Sequence, residues 1–211
     1  MSRIVHLNGE YLPEDQAKVS VFDRGFVMAD AVYEVTSVLD GKLIDFPGHM
    51  ARLARSLGEL GIQNPHSDDE WLAIHREMVA RNEITHGMVY LQVTRGTAPR
   101  DHGFPVDIAP SVVVTAKSID PARNQRLAKN GAAGVTQPDI RWGRCDIKTV
   151  GLLPNVLAKQ AAREKGAYEC LMFDEMGLVT EGSSTNAWIV DEHGRLCGAI
   201  NLQDFYQAGI I

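Results

Sequence analysis

Cysteine is scarce in this chain: Cys145, Cys170 and Cys197 are three among 211 residues. An odd number at wide spacing builds neither a disulfide framework nor a zinc site, and it suits a reducing compartment. The seven histidines lack paired metal-ligand spacing, so no metal is expected. No apolar run is long enough to span a bilayer. The first residues, MSRIVHLNGEYLPED, carry no signal-peptide core, and the expectation is a cytoplasmic protein. Positive charge is in the minority, 21 Lys and Arg against 27 Asp and Glu, for a net charge of −6. The basic residues are also scattered, which argues against nucleic acid as a partner. There is no internal repeat and no low-complexity tract. What remains is an ordinary globular composition, 45% hydrophobic and 23% charged, long enough for one domain or two small ones.

The chain is organised around residues 141–162, RWGRCDIKTVGLLPNVLAKQAA, with Lys148 near the centre. Before the lysine, Ile140, Trp142 and Cys145 mix with charged residues and read as a short extended segment. After Gly151 a helix begins. Leu153, Val156, Leu157, Gln160, Ala161 and Glu164 share one face of it, and Gly166 sits where a helix C-terminal glycine belongs. A lysine between an extended segment and a helix can be presented rigidly to a pocket. In apolar surroundings its pKa falls and it becomes nucleophilic near neutral pH. Taken alone, it reads better as a surface lysine.

From the N-terminus, Ile4–Leu7 and Glu10–Leu12 flank Asn8-Gly9, a strong hairpin signal. Residues 31–38 alternate as a strand, with Val32, Glu34, Thr36 and Val38 on one face. Tyr33 lies on the other, where ordinary strand packing would account for it. Asp40-Gly41 turns the chain into Lys42–Ile44. Residues 47–60 read as a helix with Met50, Leu53, Leu57 and Leu60 inward, and Arg52 off that stripe. Ser67 to Glu70 is a capping box opening a second helix, to about Asn82. Strands follow at 88–94 and 111–117, joined by RGTAPRDHGFP. Arg95, Arg100 and His102 on this stiffened loop could bind a carboxylate or could simply be solvated. Residues 119–130 read as a linker and a domain boundary. Beyond them come a strand at 131–136, the lysine segment, a hairpin through Glu175-Met176-Gly177, the polar cluster Glu181-Gly182-Ser183-Ser184-Thr185-Asn186, and a strand at 187–190.

Several of these stretches together resemble one family. FDRGFVMADAVYEV, HMARL, VTRGTAPRDHGFP, RWGRCDIKTVGLLPNVLAKQAAREKG and TEGSSTNAW are similar, in order, to stretches of the fold-type IV pyridoxal-phosphate transaminases. The VTRGTAPRDH loop looks like the D-amino acid branch rather than the branched-chain one. The resemblance implies a two-domain α/β (α+β) architecture, with domains at 1–118 and 119–211. It implies pyridoxal 5'-phosphate as cofactor, with Lys148 as the lysine that holds it in a Schiff base and carries the substrate proton. Glu181 matches the carboxylate facing the pyridine nitrogen, and Arg52 the arginine on the phosphate. Ser183, Ser184 and Thr185 match the hydroxyl turn beside the cofactor. Tyr33, Arg100 and His102 match the trap for the substrate carboxylate, the last two reaching in from the partner of a homodimer.

The implied reaction moves an amino group from D-alanine or another D-amino acid to a 2-oxo acid. Two alternatives stay open. One is an aminodeoxychorismate lyase of the same fold and lysine. The other is a catalytically impaired fragment that only folds or dimerises. The family chain runs on past this one, and the tail after Leu196 differs from it. The expectation is therefore an incomplete second domain, weaker phosphate binding, and a packed apolar end, NLQDFYQAGII.

Overall fold

The structure is a computed structural model that describes residues 2–199. The expectation for NLQDFYQAGII falls on residues 201–211, outside the described ones. The chain divides into two compact units. One is the chain up to Pro121 together with Ile147–Gly151; the other is Ala122–Asp146 with the chain from Leu152 on.

The first unit is an antiparallel sheet under two helices. Strands β1 (Ile4–Leu7) and β2 (Glu10–Pro13) form the expected hairpin. Asn8 and Gly9 both take positive φ, 49° and 96°, the conformation that suits a two-residue turn between twisted strands. A five-residue helix α1 (Arg24–Met28) precedes β3 (Ala31–Leu39) and the short β4 (Lys42–Leu43). Helices α2 (Phe46–Glu59) and α3 (Asp68–Arg81) follow, then β5 (Gly87–Thr94) and β6 (Ser111–Ser118). The strand order is β2-β1-β6-β5-β3-β4.

Burial in β3 alternates as the sequence predicts. Val32, Glu34, Thr36 and Val38 are buried, while Tyr33 and Val35 are partly open. The buried face meets α2 through Met50, Leu53 and Leu57 and α3 through Trp71 and Met78. Each such side chain contributes about 1.5–3 kcal/mol by leaving water. The capping box forms in full: Ser67 Oγ accepts from the Glu70 amide, and the Glu70 carboxylate accepts from the Ser67 amide.

The start of β3 has an edge that β4 does not cover, and Ile147–Gly151 occupies it. The Tyr33 amide donates to the Lys148 carbonyl at 2.9 Å, and the Val150 amide to the Ala31 carbonyl at 3.3 Å. Val32 and Thr149 form an antiparallel bridge. Ile147 is 4% exposed and joins the core of this unit.

In the second unit, α4 (Pro121–Asn130) occupies the stretch read as a linker. None of its residues is buried, so no apolar stripe announced it. Pro121 at its start and the helix formers Ala122, Gln125, Arg126, Leu127 and Ala128 account for it. A three-stranded sheet follows: β7 (Gly134–Pro138) parallel to β8 (Glu169–Phe173), and β8 antiparallel to β9 (Val179–Gly182). Helix α5 (Leu153–Glu164) connects β7 to β8 and packs on them through Ala158 and Ala162, beside Cys170 and Met172. Small residues one turn apart let the helix lie close to the sheet. The apolar face read from the sequence is a different one: Leu153, Val156 and Leu157 are exposed. Strands β10 (Ala187–Val190) and β11 (Leu196–Ala199) form a separate pair.

Candidate active site

In the first unit, the edge segment fixes Lys148 from both sides. Ile147 anchors it in the core, the Lys148 amide donates to Ser56 Oγ at 3.3 Å, and its carbonyl accepts from Tyr33. The side chain then crosses the open face of Tyr33. Its Nζ donates to the Tyr33 hydroxyl at 3.3 Å and lies 4.3 Å from the ring centroid. Tyr90 on β5 stacks on the same ring, with centroids 5.6 Å apart, and its hydroxyl donates to Gln92. Burial pushes the Tyr90 phenol up to about 12, so it stays protonated.

Arg52 meets Glu34, a residue the sequence reading left unassigned. Glu34 stands in phase with Val32, Thr36 and Val38, and none of its side chain is exposed. Arg52 Nε donates to Oε1 and Nη2 to Oε2, both at 2.7 Å, and His49 Nδ1 lies 2.8 Å from Oε2. Burial pushes the Glu34 carboxyl upward. The bonds from Arg52 and His49 and the fields of Arg52 and Lys148 outweigh it and hold the group below its usual range. The signal was present in the sequence, because a carboxylate on the core side of a strand needs a cation.

Of the three candidate groups on the loop after β5, the structure turns Arg95 inward. It is 6% exposed, and its Nε and Nη2 bind Asp30 at 2.7 and 3.0 Å. Nη2 also donates to the Leu60 carbonyl. Arg95 is therefore not solvated, and the carboxylate it binds is the chain's own Asp30 rather than one left open for a ligand. Arg100 and His102 are exposed on the loop.

In the second unit, Glu181 on β9 accepts from Arg141 Nη1. Arg141 Nε and Nη2 bind Asp139, which also accepts from Thr180 Oγ1. Although burial raises it, these bonds take the Asp139 carboxyl down to about 2. The three hydroxyls predicted beside the cofactor converge on one group the sequence reading missed. Glu169 accepts from Ser183, from Ser184 at 2.8 Å and from Thr185 at 2.9 Å, with Lys159 Nζ 3.3 Å away. Against the upward push of burial, these donors and the Cys170 amide hold its carboxyl at about 2. The turn is tight because Gly182 donates to the Thr185 carbonyl, and a Cβ on Gly182 would lie 2.4 Å from that oxygen. A run of three hydroxyls was visible in sequence; the carboxylate that collects them lies one strand away.

Comparison with known proteins places these residues in a family context. The Amino-transferase class IV family model matches residues 31–204. A D-alanine aminotransferase of Staphylococcus aureus is 42% identical over 189 residues, covering 89% of this chain. The chain spans 66% of the length of that relative. Among solved structures, the Escherichia coli branched-chain amino acid aminotransferase superposes with a TM-score of 0.84 at 19% identity, covering 99% of this chain and 76% of that one. The branched-chain aminotransferase of the archaeon Thermoproteus uzoniensis, with norvaline, gives 0.74 at 22% identity, covering 100% and 76%. Another branched-chain amino acid aminotransferase, solved with pyridoxamine 5'-phosphate, gives 0.81 at 21% identity, covering 99% and 75%. These structural likenesses establish the fold-type IV architecture. The sequence match over residues 31–204 establishes more: this chain belongs to the class IV aminotransferase family.

Proposed function

We propose that this chain moves the amino group of a D-amino acid, D-alanine foremost, to a 2-oxo acid, using pyridoxal 5'-phosphate. The observation that carries the reading is the seating of Lys148. Its backbone is built into the edge of β3, and its amine is held by the Tyr33 hydroxyl. An amine so placed can be released to react. The likeness to curated D-alanine aminotransferases supports the choice of substrate.

The residues fit the cofactor by type. Lys148 offers an amine for the aldehyde, Arg52 a guanidinium for the phosphate, and Glu181 a carboxylate for the ring nitrogen. The Ser183–Thr185 turn, pinned by Glu169, would border it. When bound, the cofactor supplies an electron sink that makes the substrate's Cα–H acidic. Lys148 takes the proton from that carbon and delivers it elsewhere in the same site, acting as base and then acid. Tyr33 hydrogen-bonds the substrate carboxylate, with Arg100 and His102 contributed by a second copy of the chain in a homodimer. Holding the carboxylate on one side decides which enantiomer presents its α hydrogen to Lys148. The reading places the protein in the cytoplasm. Among the described residues no helix is long and apolar enough to cross a membrane.

The test is an absorbance titration of the chain with pyridoxal 5'-phosphate, followed by D- or L-alanine. A visible band that D-alanine bleaches, L-alanine does not, and Lys148→Ala abolishes is the expected result. Equal response to both enantiomers would overturn the choice of substrate. Pyruvate release from aminodeoxychorismate would point to the lyase instead.

A further inference from the structure

Arg24 is almost fully buried, 3% exposed, in a helix too short to need a buried cation for its own stability. Its amide donates to the Gly96 carbonyl at 2.9 Å, which ties α1 to the end of β5. Its Nε donates to Asp30 Oδ2 at 2.7 Å. The same oxygen accepts from Arg95 Nε, so one aspartate holds two arginines. Both then reach the loop that follows β5. Arg24 Nη1 donates to the Asp101 carbonyl at 2.6 Å, and the Arg95 guanidinium lies 3.7 Å from the centroid of the Phe104 ring. The loop is thereby attached to the body of the unit at two points three residues apart. Arg100 and His102 flank the first of them.

We propose that Arg24 is a positioning residue for this loop: its bond to the Asp101 carbonyl sets where Arg100 and His102 stand. The proposal rests on the reading of those two residues as a trap for the substrate carboxylate. The chemistry of the attachment is specific. A charged donor on a backbone carbonyl is stronger than a neutral one and does not depend on the side chain at position 101. Asp30 accepts from both guanidinium groups, offsetting one of their two charges, and its two oxygens fix the plane of Arg95. Gly96, at the root of the loop, has φ of +110°, and a Cβ there would lie 2.1 Å from the Ala109 carbonyl oxygen. Both ends of the loop therefore meet closely, and its tip is located by the arginine pair.

The test compares Arg24→Met and Arg24→Lys with the unchanged chain by hydrogen exchange, and by steady-state kinetics with D-alanine. In Arg24→Met, the bonded loop amides of Ala98 and Gly103 should exchange about tenfold faster or more, the expected effect of losing a charged hydrogen bond. Amides of β3, β5 and β6 should keep their protection, and Arg24→Lys should restore part of the loop's. KM for D-alanine should rise with little change in kcat, while pyridoxal 5'-phosphate titrates as before. Unchanged exchange at Ala98 and Gly103 would overturn the proposal. So would loss of protection throughout the sheet, which would make Arg24 a general brace. Arg100→Ala separates the two readings. If it leaves KM unaltered while Arg24→Met loosens the loop, the carboxylate trap is wrong and the positioning role stands.

Discussion

Glu34 and Arg52 are joined by two parallel hydrogen bonds of 2.7 Å, one partner wholly buried and the other 42% exposed. A strand residue thus holds a helix cation at the border between core and solvent. Arg52→Ala would strip the buried carboxylate of its main partner and leave only His49 bonded to it. Breaking such a pair from one side costs about 3–5 kcal/mol, and the remaining histidine and the open arginine place this case near ~2–3 kcal/mol. Urea unfolding should show it, and Glu34→Gln with Arg52→Ala should recover part of the loss.

The Glu34 carboxyl titrates below its unfolded value, so the pair stabilises the fold above the usual glutamate range. That contribution is lost as pH falls through the lower, folded value. Glu34→Gln should therefore flatten the acid limb of the stability profile.

His75 gives a second pH dependence in a different window. It is fully buried; its Nδ1 donates to the Trp71 carbonyl at 2.8 Å, and Nε2 has no partner among the described residues. Desolvation lowers its pKa from 6.5 to about 4. The unfolded chain therefore binds the proton first, and stability falls as pH drops from about 6.5 to about 4. The full effect is on the order of 3 kcal/mol. His75→Leu should remove this slope while leaving the limb at lower pH.

Glu169 collects Ser183, Ser184 and Thr185, and with them the second unit's polar turn. Glu169→Gln keeps the shape but replaces one acceptor oxygen by a donor facing hydroxyls. It should cost about 1–3 kcal/mol. Amides 182–186 should lose protection before those of β1 or β6 do. Equal loss in both units would contradict this assignment.

Gly182→Ala tests the same turn sterically. Its new methyl would meet the Thr185 carbonyl at 2.4 Å, a backbone atom that cannot rotate away. Destabilisation of about 1–3 kcal/mol is expected, against almost none for Gly143→Ala, where no described atom lies within 4 Å. Thermal melts of the two variants make the comparison.

Much of the fold could be read from local chemistry. Asn8-Gly9, the Ser67–Glu70 box and the alternation through β3 each fix their element within a few residues, and the structure has them there. What escaped was non-local or unpatterned. Helix α4 buries nothing, so periodicity could not reveal it. The packing face of α5 is set by two alanines rather than by its larger apolar residues. At the candidate site, Lys148 and Tyr33 were named from sequence, but their meeting depends on residues 115 apart in the chain. Glu34 could have been found from its place on the buried side of β3, but Asp30 and Glu169 were missed because their partners lie far off in the sequence.

The five residues Ile147–Gly151 make the chain enter the first unit twice, with second-unit sequence before and after them. No single scission can therefore separate the units without consequence. A piece ending near Pro121 would keep the sheet and its two helices but forfeit the amine and leave the upper edge of β3 unpaired. A piece starting there would carry Lys148 with no strand to receive it. Tyr33 and Lys148 must accordingly be inherited together, and recombination between relatives near residue 120 would succeed only where both parents agree at that seam.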